Sequence, residues 1–191
     1  MPQESDPHPL IEALALLGRL FDEHHVAYAV MGGLAASFHG SQRATHDLDI
    51  LIAVEKIRLP DFLKILSTNQ FVFEEEQTRR ELAQDGLTKI QYKGYAIDFL
   101  MPILPYFHDA LRRAKAYDFL GMKLRFVTPE DIILLKLIAF RAKDQEDIKS
   151  ILAAQSPDAL DKKYILEWVQ KLTKPEDEKQ SWLKNWIAKL S

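Results

Sequence analysis

Apolar residues recur at helical spacing from Leu10 to about His25. Leu10, Leu14, Leu17 and Phe21 fall on one side, and Glu12, Arg19, Asp22 and Glu23 on the other. That pattern predicts an amphipathic helix laid on a sheet. The period then changes. Val26 to Met31 is a continuous apolar run, short enough for a buried strand, and it ends in Gly32-Gly33. Leu34–His39 predicts a short helix stopped by Gly40. After a polar turn, Asp47–Val54 predicts a second strand that opens on two carboxylates, Asp47 and Asp49. Pro60 opens a helix to about Ser67, and Phe71–Glu74 reads as a short strand. Leu87–Tyr92 and Tyr95–Leu100, turned by Gly94, read as a hairpin.

Past Pro102 and Pro105 the pattern predicts a helix over Tyr106–Lys115 and a hairpin over Phe119–Val127. Thr128-Pro129-Glu130-Asp131 is a strong helix start, with a Thr cap, a proline in the first turn and acids at the positive end. The helix runs through Ile132–Phe140, with a helical continuation over Lys143–Ala154. Two more helices follow, about 161–172 and 177–190. The last carries an apolar stripe, Trp182, Leu183, Trp186, Ile187 and Leu190, that packs on the domain or offers a homodimer contact. Residues 1–9 should be loose. The order of elements predicts an α/β (α+β) chain. A mixed sheet flanked by helices spans 1–127, and a helical region packed on it spans 128–191.

Composition narrows the classes. Hydrophobic residues make up 47% of the 191, enough for a real core, so disorder is not expected. The absence of cysteine excludes disulfides, thiol catalysis and Cys-ligated zinc, and is mildly supportive of a cytoplasmic home. Net charge is −3, so no globally basic surface invites a large nucleic acid. The one local basic concentration is Arg112, Arg113, Lys115, Lys123 and Arg125, which reads as a solvated face or as an RNA-backbone contact. Met1–Pro9 lacks a signal-peptide pattern, and the longest apolar run, Ile132–Phe140, is broken by Lys136 and too short for a bilayer. No membrane association is expected.

The chemistry concentrates between Gly32 and Asp49. Residues i and i+2 of a strand share a face, so Asp47 and Asp49 aim at one point. Two anions held that close call for a cation between them, and a hard divalent ion such as Mg2+ (or Mn2+) suits carboxylate oxygens. Gly32 and Gly33 sit where backbone N–H groups at a helix start meet a phosphate. Arg43, in the turn before the acids, offers a bidentate phosphate contact or a turn-shaping salt bridge. Asp98 lies between Ile97 and Phe99 and so faces away from both. Lys136 interrupts a helix apolar on nearly every side, and a buried ammonium needs an anion: the strand acids or nucleotide phosphates. The bland alternatives are solvated strand acids, a plain glycine turn and a lysine that snorkels to water.

The sequence Gly32-Gly33, a spacer, then Arg43-x-Thr45-x-Asp47-x-Asp49 resembles the signature of the DNA polymerase beta-like nucleotidyltransferase superfamily. It is most similar to the branch holding minimal nucleotidyltransferases and AbiEii-type toxins. The resemblance implies a nucleotidyltransferase fold and a third carboxylate on a later strand, a place Asp98 fits. It further implies that Asp47, Asp49 and Asp98 hold two metal ions and that Asp98 assists the acceptor's deprotonation. Gly32 and Gly33 would cradle the β- and γ-phosphates, although many members have Gly-Ser there and this chain lacks that hydroxyl. Lys136 with Arg141, Lys143, Asp144 and Asp147 resembles a second block of the AbiEii-type group, a weaker match. The implied reaction moves a nucleoside monophosphate from an NTP to a hydroxyl and releases pyrophosphate. The acceptor is RNA such as tRNA, a cognate toxin or antitoxin protein, or a small molecule. The rival readings are a catalytically silent nucleotide- or partner-binding module of the same fold, and a phosphate-releasing hydrolase.

Overall fold

The structure is a computed structural model, and it describes residues 8–42, 44–156 and 158–189. The chain divides into two compact units, Met1–Val30 with Thr45–Phe126, and Met31–Ala44 with Val127–Ser191. The expected linear division at 127/128 differs from this at residues 31–44 and at Val127, which group with the C-terminal helices.

The first unit carries a six-stranded mixed sheet. Its strands are β1 (Ala27–Met31), β2 (Asp47–Ala53), β3 (Leu87–Tyr92), β4 (Tyr95–Leu100), β5 (Lys115–Phe119) and β6 (Met122–Phe126), in the order β3-β4-β2-β1-β6-β5. β2 pairs with β4 in parallel and β1 with β6 in parallel, while β3·β4 and β5·β6 are antiparallel hairpins. The first hairpin turns on Lys93 and Gly94, both at positive φ. Such tight turns match the right-handed twist of the strands, and glycine relieves the strain at one of the two positions. α1 (Pro9–Glu23) and α3 (Leu59–Thr68) supply Phe21 and Phe62, which meet Phe99 of β4 at ring-centroid distances of 6.2 and 5.8 Å. Leu48, Ile50 and Ile97 are buried with Phe99. The apolar face of the β2–β4 pair is therefore the helix-covered one.

The short strand expected at Phe71–Glu74 is a single bridge, Val72 to Gln91. The helix that follows it, α4 (Glu75–Gln84), shows no apolar periodicity: only Thr78 and Leu82 are buried. It rests on strong helix formers and on Glu74, whose carboxylate accepts from the Gln77 N–H. α5 (Pro105–Arg113) ends two residues before the expected Lys115, which opens β5 instead.

The second unit is helical: α2 (Gly32–Phe38), α6 (Pro129–Ala139), α7 (Ala142–Ala154), α8 (Lys162–Leu172) and α9 (Glu178–Ala188). α6 is buried on nearly every side and touches α2, α7 and α8. Its buried acids are satisfied locally. Glu130 accepts from the Asp161 N–H at 2.9 Å, and Asp131 accepts from Thr128 Oγ1 at 2.7 Å and from the Tyr164 hydroxyl at 2.6 Å. The helix expected to continue past Phe140 stops there, because Phe140 adopts the left-handed region (φ 50°) and Arg141 caps a new helix. Gly40 packs against α7 so closely that a Cβ would lie 2.3 Å from Ala154 Cβ, and its φ of 121° suits only glycine.

Candidate functional site

Strand register builds the site. In β2·β4, Asp49 lies opposite Asp98, and in β3·β4, Lys89 lies opposite the same Asp98. Opposed residues share a face, so Asp49, Asp98 and Lys89 form one row across three strands. The neighbours Leu48, Ile50, Ile97 and Phe99 point to the helix-covered face, so the row occupies the other. Asp47 is two residues before Asp49 on that same face, at the exposed start of β2, and accepts from the Thr45 hydroxyl at 2.7 Å. Lys89 Nζ lies 3.3 Å from Asp98 Oδ1.

The row borders an open cleft of about 630 Å³ lined by Asp49, Glu81, Asp85, Leu87, Thr88, Lys89 and Asp98. Hydrogen bonds from Thr88 and Gln77 hold the Glu81 carboxyl below the usual carboxylate range, against the opposing effect of burial. Four acidic residues and one lysine thus belong to the cleft lining.

The donor set fits a hard divalent cation in kind, since all three candidates are carboxylates, and in register, since Asp49 and Asp98 are direct neighbours. Among the described residues no group of three or more His, Cys, Asp or Glu side chains forms a ready-made metal cluster. The Asp98 carboxylate is paired with Lys89.

The other expected site residues lie in the second unit. Gly32 and Gly33 are the first residues of α2 rather than a turn before it, and Gly32 has φ 65°. Arg43 lies outside the described residues. Lys136 is buried and paired with two helix acids: Asp147 Oδ2 lies 2.8 Å from its Nζ and Asp144 Oδ1 3.5 Å. The break at Phe140 explains this, because it lets α7 fold back along α6. Asp147 also accepts from the Ser41 hydroxyl at 2.6 Å, and Asp144 from Arg141 Nε at 2.6 Å. Burial pushes the Asp144 carboxyl up. The side-chain and backbone hydrogen bonds of Arg141 and the charges of Lys136 and Arg141 outweigh it and hold the group below its ordinary value. His39 Nε2 donates to the Val127 carbonyl at 2.8 Å, and burial holds its imidazole below its ordinary value.

Sequence reasoning missed Lys89, Glu81 and Asp85. Alternation in β3 (exposed Leu87, Lys89 and Gln91; buried Thr88, Ile90 and Tyr92) placed Lys89 on the polar face, but only register shows which carboxylate it meets. The basic concentration is engaged piecemeal in the first unit. Arg112 pairs with Asp109 at 2.6 Å, Arg125 donates to the Ala114 carbonyl at 2.9 Å, and Lys123 lies opposite Asp118.

This mixed sheet, with two parallel strand pairs, two antiparallel hairpins and flanking helices, has a nucleotidyltransferase fold, and solved structures share it. The antigenic nucleotidyltransferase-like protein from Paracoccidioides brasiliensis is 18% identical with a TM-score of 0.52, covering 95% of this chain and 88% of that one. The lincosamide antibiotic adenylyltransferase LnuA, solved with lincomycin, is 14% identical with a TM-score of 0.54, covering 75% and 97%. ANT(2")-Ia, solved with adenylyl-2"-tobramycin, is 14% identical with a TM-score of 0.57, covering 85% and 95%. The chain belongs to the family described as "Nucleotidyltransferase of unknown function" (DUF6036), which it matches over residues 9–185. No curated protein matches it. Among the described residues no helix is long and apolar enough to cross a membrane.

Proposed function

We propose that this nucleotidyltransferase moves a nucleoside monophosphate from an NTP to a hydroxyl of a small cationic acceptor. The observation that carries the reading is the Asp49–Asp98 row opening on a cleft to whose lining Glu81 and Asp85 add two further acids against one lysine. Asp47, Asp49 and Asp98 would hold Mg2+ or Mn2+, which when bound neutralises triphosphate charge and lowers the pKa of the attacking hydroxyl. The acceptor oxygen bonds to the α-phosphorus, the bond from that phosphorus to the pyrophosphate oxygen breaks, and the hydroxyl proton passes to a carboxylate of the row. Gly32, Gly33 and Arg43 are carried as phosphate contacts from the sequence resemblance. Lys136 is assigned a structural role, since Asp144 and Asp147 already compensate its charge.

The cleft's size falls in the range of small-molecule sites, roughly 300–1,000 Å³. Its carboxylates attract an amine-bearing ligand and repel a phosphate backbone. The fold neighbours LnuA and ANT(2")-Ia are small-molecule modifiers by description, which is consistent with this acceptor class. An RNA or partner-protein acceptor, as in a toxin–antitoxin pair, is the competing reading from the resemblance.

The test incubates the purified protein with Mg2+ and each labelled NTP, offering in turn amine-bearing small molecules, total RNA and cell protein. An Asp47→Ala/Asp49→Ala variant runs alongside. Label on a small cationic molecule, lost in the variant, is the expected result. Label on RNA or protein replaces the acceptor class with the toxin–antitoxin reading. No label and no metal-dependent NTP binding favours the silent binding module.

A further inference from the structure

We infer that Lys89 is the exchangeable counter-ion of the proposed metal site: its ammonium neutralises Asp98 when no divalent cation is bound and must leave for one to bind. The inference rests on the metal reading above and goes beyond it in assigning a gating role to a residue outside the carboxylate motif.

Three observations support it. Register fixes Lys89 directly opposite Asp98, itself directly opposite Asp49, so the ammonium stands at the end of the carboxylate row by backbone geometry. The pair is close enough for direct attraction, at 3.3 Å. It is also exposed enough to exchange, because the Lys89 side chain is 60% and the Asp98 side chain 23% accessible. A pair this wet is weak, whereas a dication meeting several carboxylates gains far more than one ammonium does. Lys89 therefore lowers metal affinity without abolishing it. It keeps the row from standing as an uncompensated anionic cluster when the cation is absent. The released ammonium remains on the cleft wall that it already lines.

The test is Mn2+ binding to the purified protein without nucleotide, followed by Mn2+ electron paramagnetic resonance or calorimetry. Lys89→Met should bind Mn2+ about two- to five-fold more tightly than the wild type, the range an exposed ion pair of this kind corresponds to. Lys89→Arg, which keeps the charge, should not gain. Lys93→Met removes a same-sign charge that pairs with Glu12 instead, and it should leave the affinity unchanged. A gain of affinity is a readout that misfolding does not produce. Unchanged or weaker binding in Lys89→Met, with wild-type binding intact and lost in Asp49→Asn, overturns the role of Lys89 and leaves the metal reading standing. A gain in Lys93→Met equal to that in Lys89→Met overturns it too, because general charge and not the pair would then be at work. Absence of Mn2+ binding in every form, with nucleotide added as well, overturns the metal reading and this inference with it.

Discussion

The Lys89–Asp98–Asp49 row and the Lys136–Asp144–Asp147 cluster each bring one lysine together with two aspartates, and they differ in burial. In the helical unit the Lys136 side chain is 8% accessible and Asp144 is fully enclosed. Ser41 and Arg141 take further oxygens of the two carboxylates. Charges so placed cost several kcal/mol each to desolvate and are held only while every partner is present. In the sheet unit the Lys89–Asp98 pair is wet and makes a weak bond. The same residue types thus serve opposite ends. A dry, multiply bonded cluster fixes helices to one another. A wet row can release its lysine and accept a different cation. Residue identity alone does not separate the two cases; solvent access does.

The largest effect should come from breaking the dry cluster. Lys136→Met leaves Asp147 without its ammonium and should cost about 3–5 kcal/mol in denaturant unfolding. The double variant Lys136→Met/Asp147→Leu should recover much of that loss, because the orphaned anion is gone. Unchanged stability with abolished transfer would instead assign Lys136 to the phosphates, as the sequence resemblance implies, and would erase the contrast between the clusters.

Breaking the wet row should act on rate and not on fold. Asp98→Asn is expected to lower NMP transfer about 100- to 1,000-fold, of the order seen when one electrostatic group of an active site is lost. Its unfolding free energy should stay within about 0.5 kcal/mol of the wild type, as for a surface substitution. A destabilisation comparable to that of Lys136→Met would show the row to be structural.

A smaller loss is expected at the packing that supports the dry cluster. Gly40→Ala places a Cβ against Ala154 and strains a φ of 121°, and should cost about 2 kcal/mol. Adding Ala154→Gly should relieve the contact and leave the backbone strain, so the recovery is partial.

The mildest test is acid. His39 has a folded pKa below its unfolded value of about 6.5, so the unfolded chain binds its proton first. That contribution is complete above pH 6.5 and shrinks as pH falls from there toward the folded value. Asp144 is also depressed, so its contribution is complete above the ordinary aspartate value of about 3.9 and is lost as pH falls through the folded one. Unfolding free energies measured from pH 8 to 3 should therefore fall in two steps. His39→Gln should remove the first, and Asp144→Asn should shrink the second, to which the depressed Glu81 also contributes.

What the sequence determined by itself is what local rules control. Strand alternation placed Asp98 opposite in facing to Ile97 and Phe99, and i,i+2 spacing put Asp47 and Asp49 on one face. Thr128-Pro129 announced α6 through its cap, and the paired glycines and the Asp-x-Asp spacing pointed to the class. Where periodicity was missing, the reading failed: α4 is a polar helix with two buried residues and leaves no apolar stripe to detect. The positive φ at Phe140, a bulky residue with no turn signature, hid the chain reversal that delivers Asp144 and Asp147 to Lys136. Only the tertiary structure decided the register of β3, β4 and β2, and with it the meeting of Lys89, Asp98 and Asp49. Register comes from the packing of whole strands and the turns that join them, so the identity of a cross-strand neighbour is not written in the residues on either side of it.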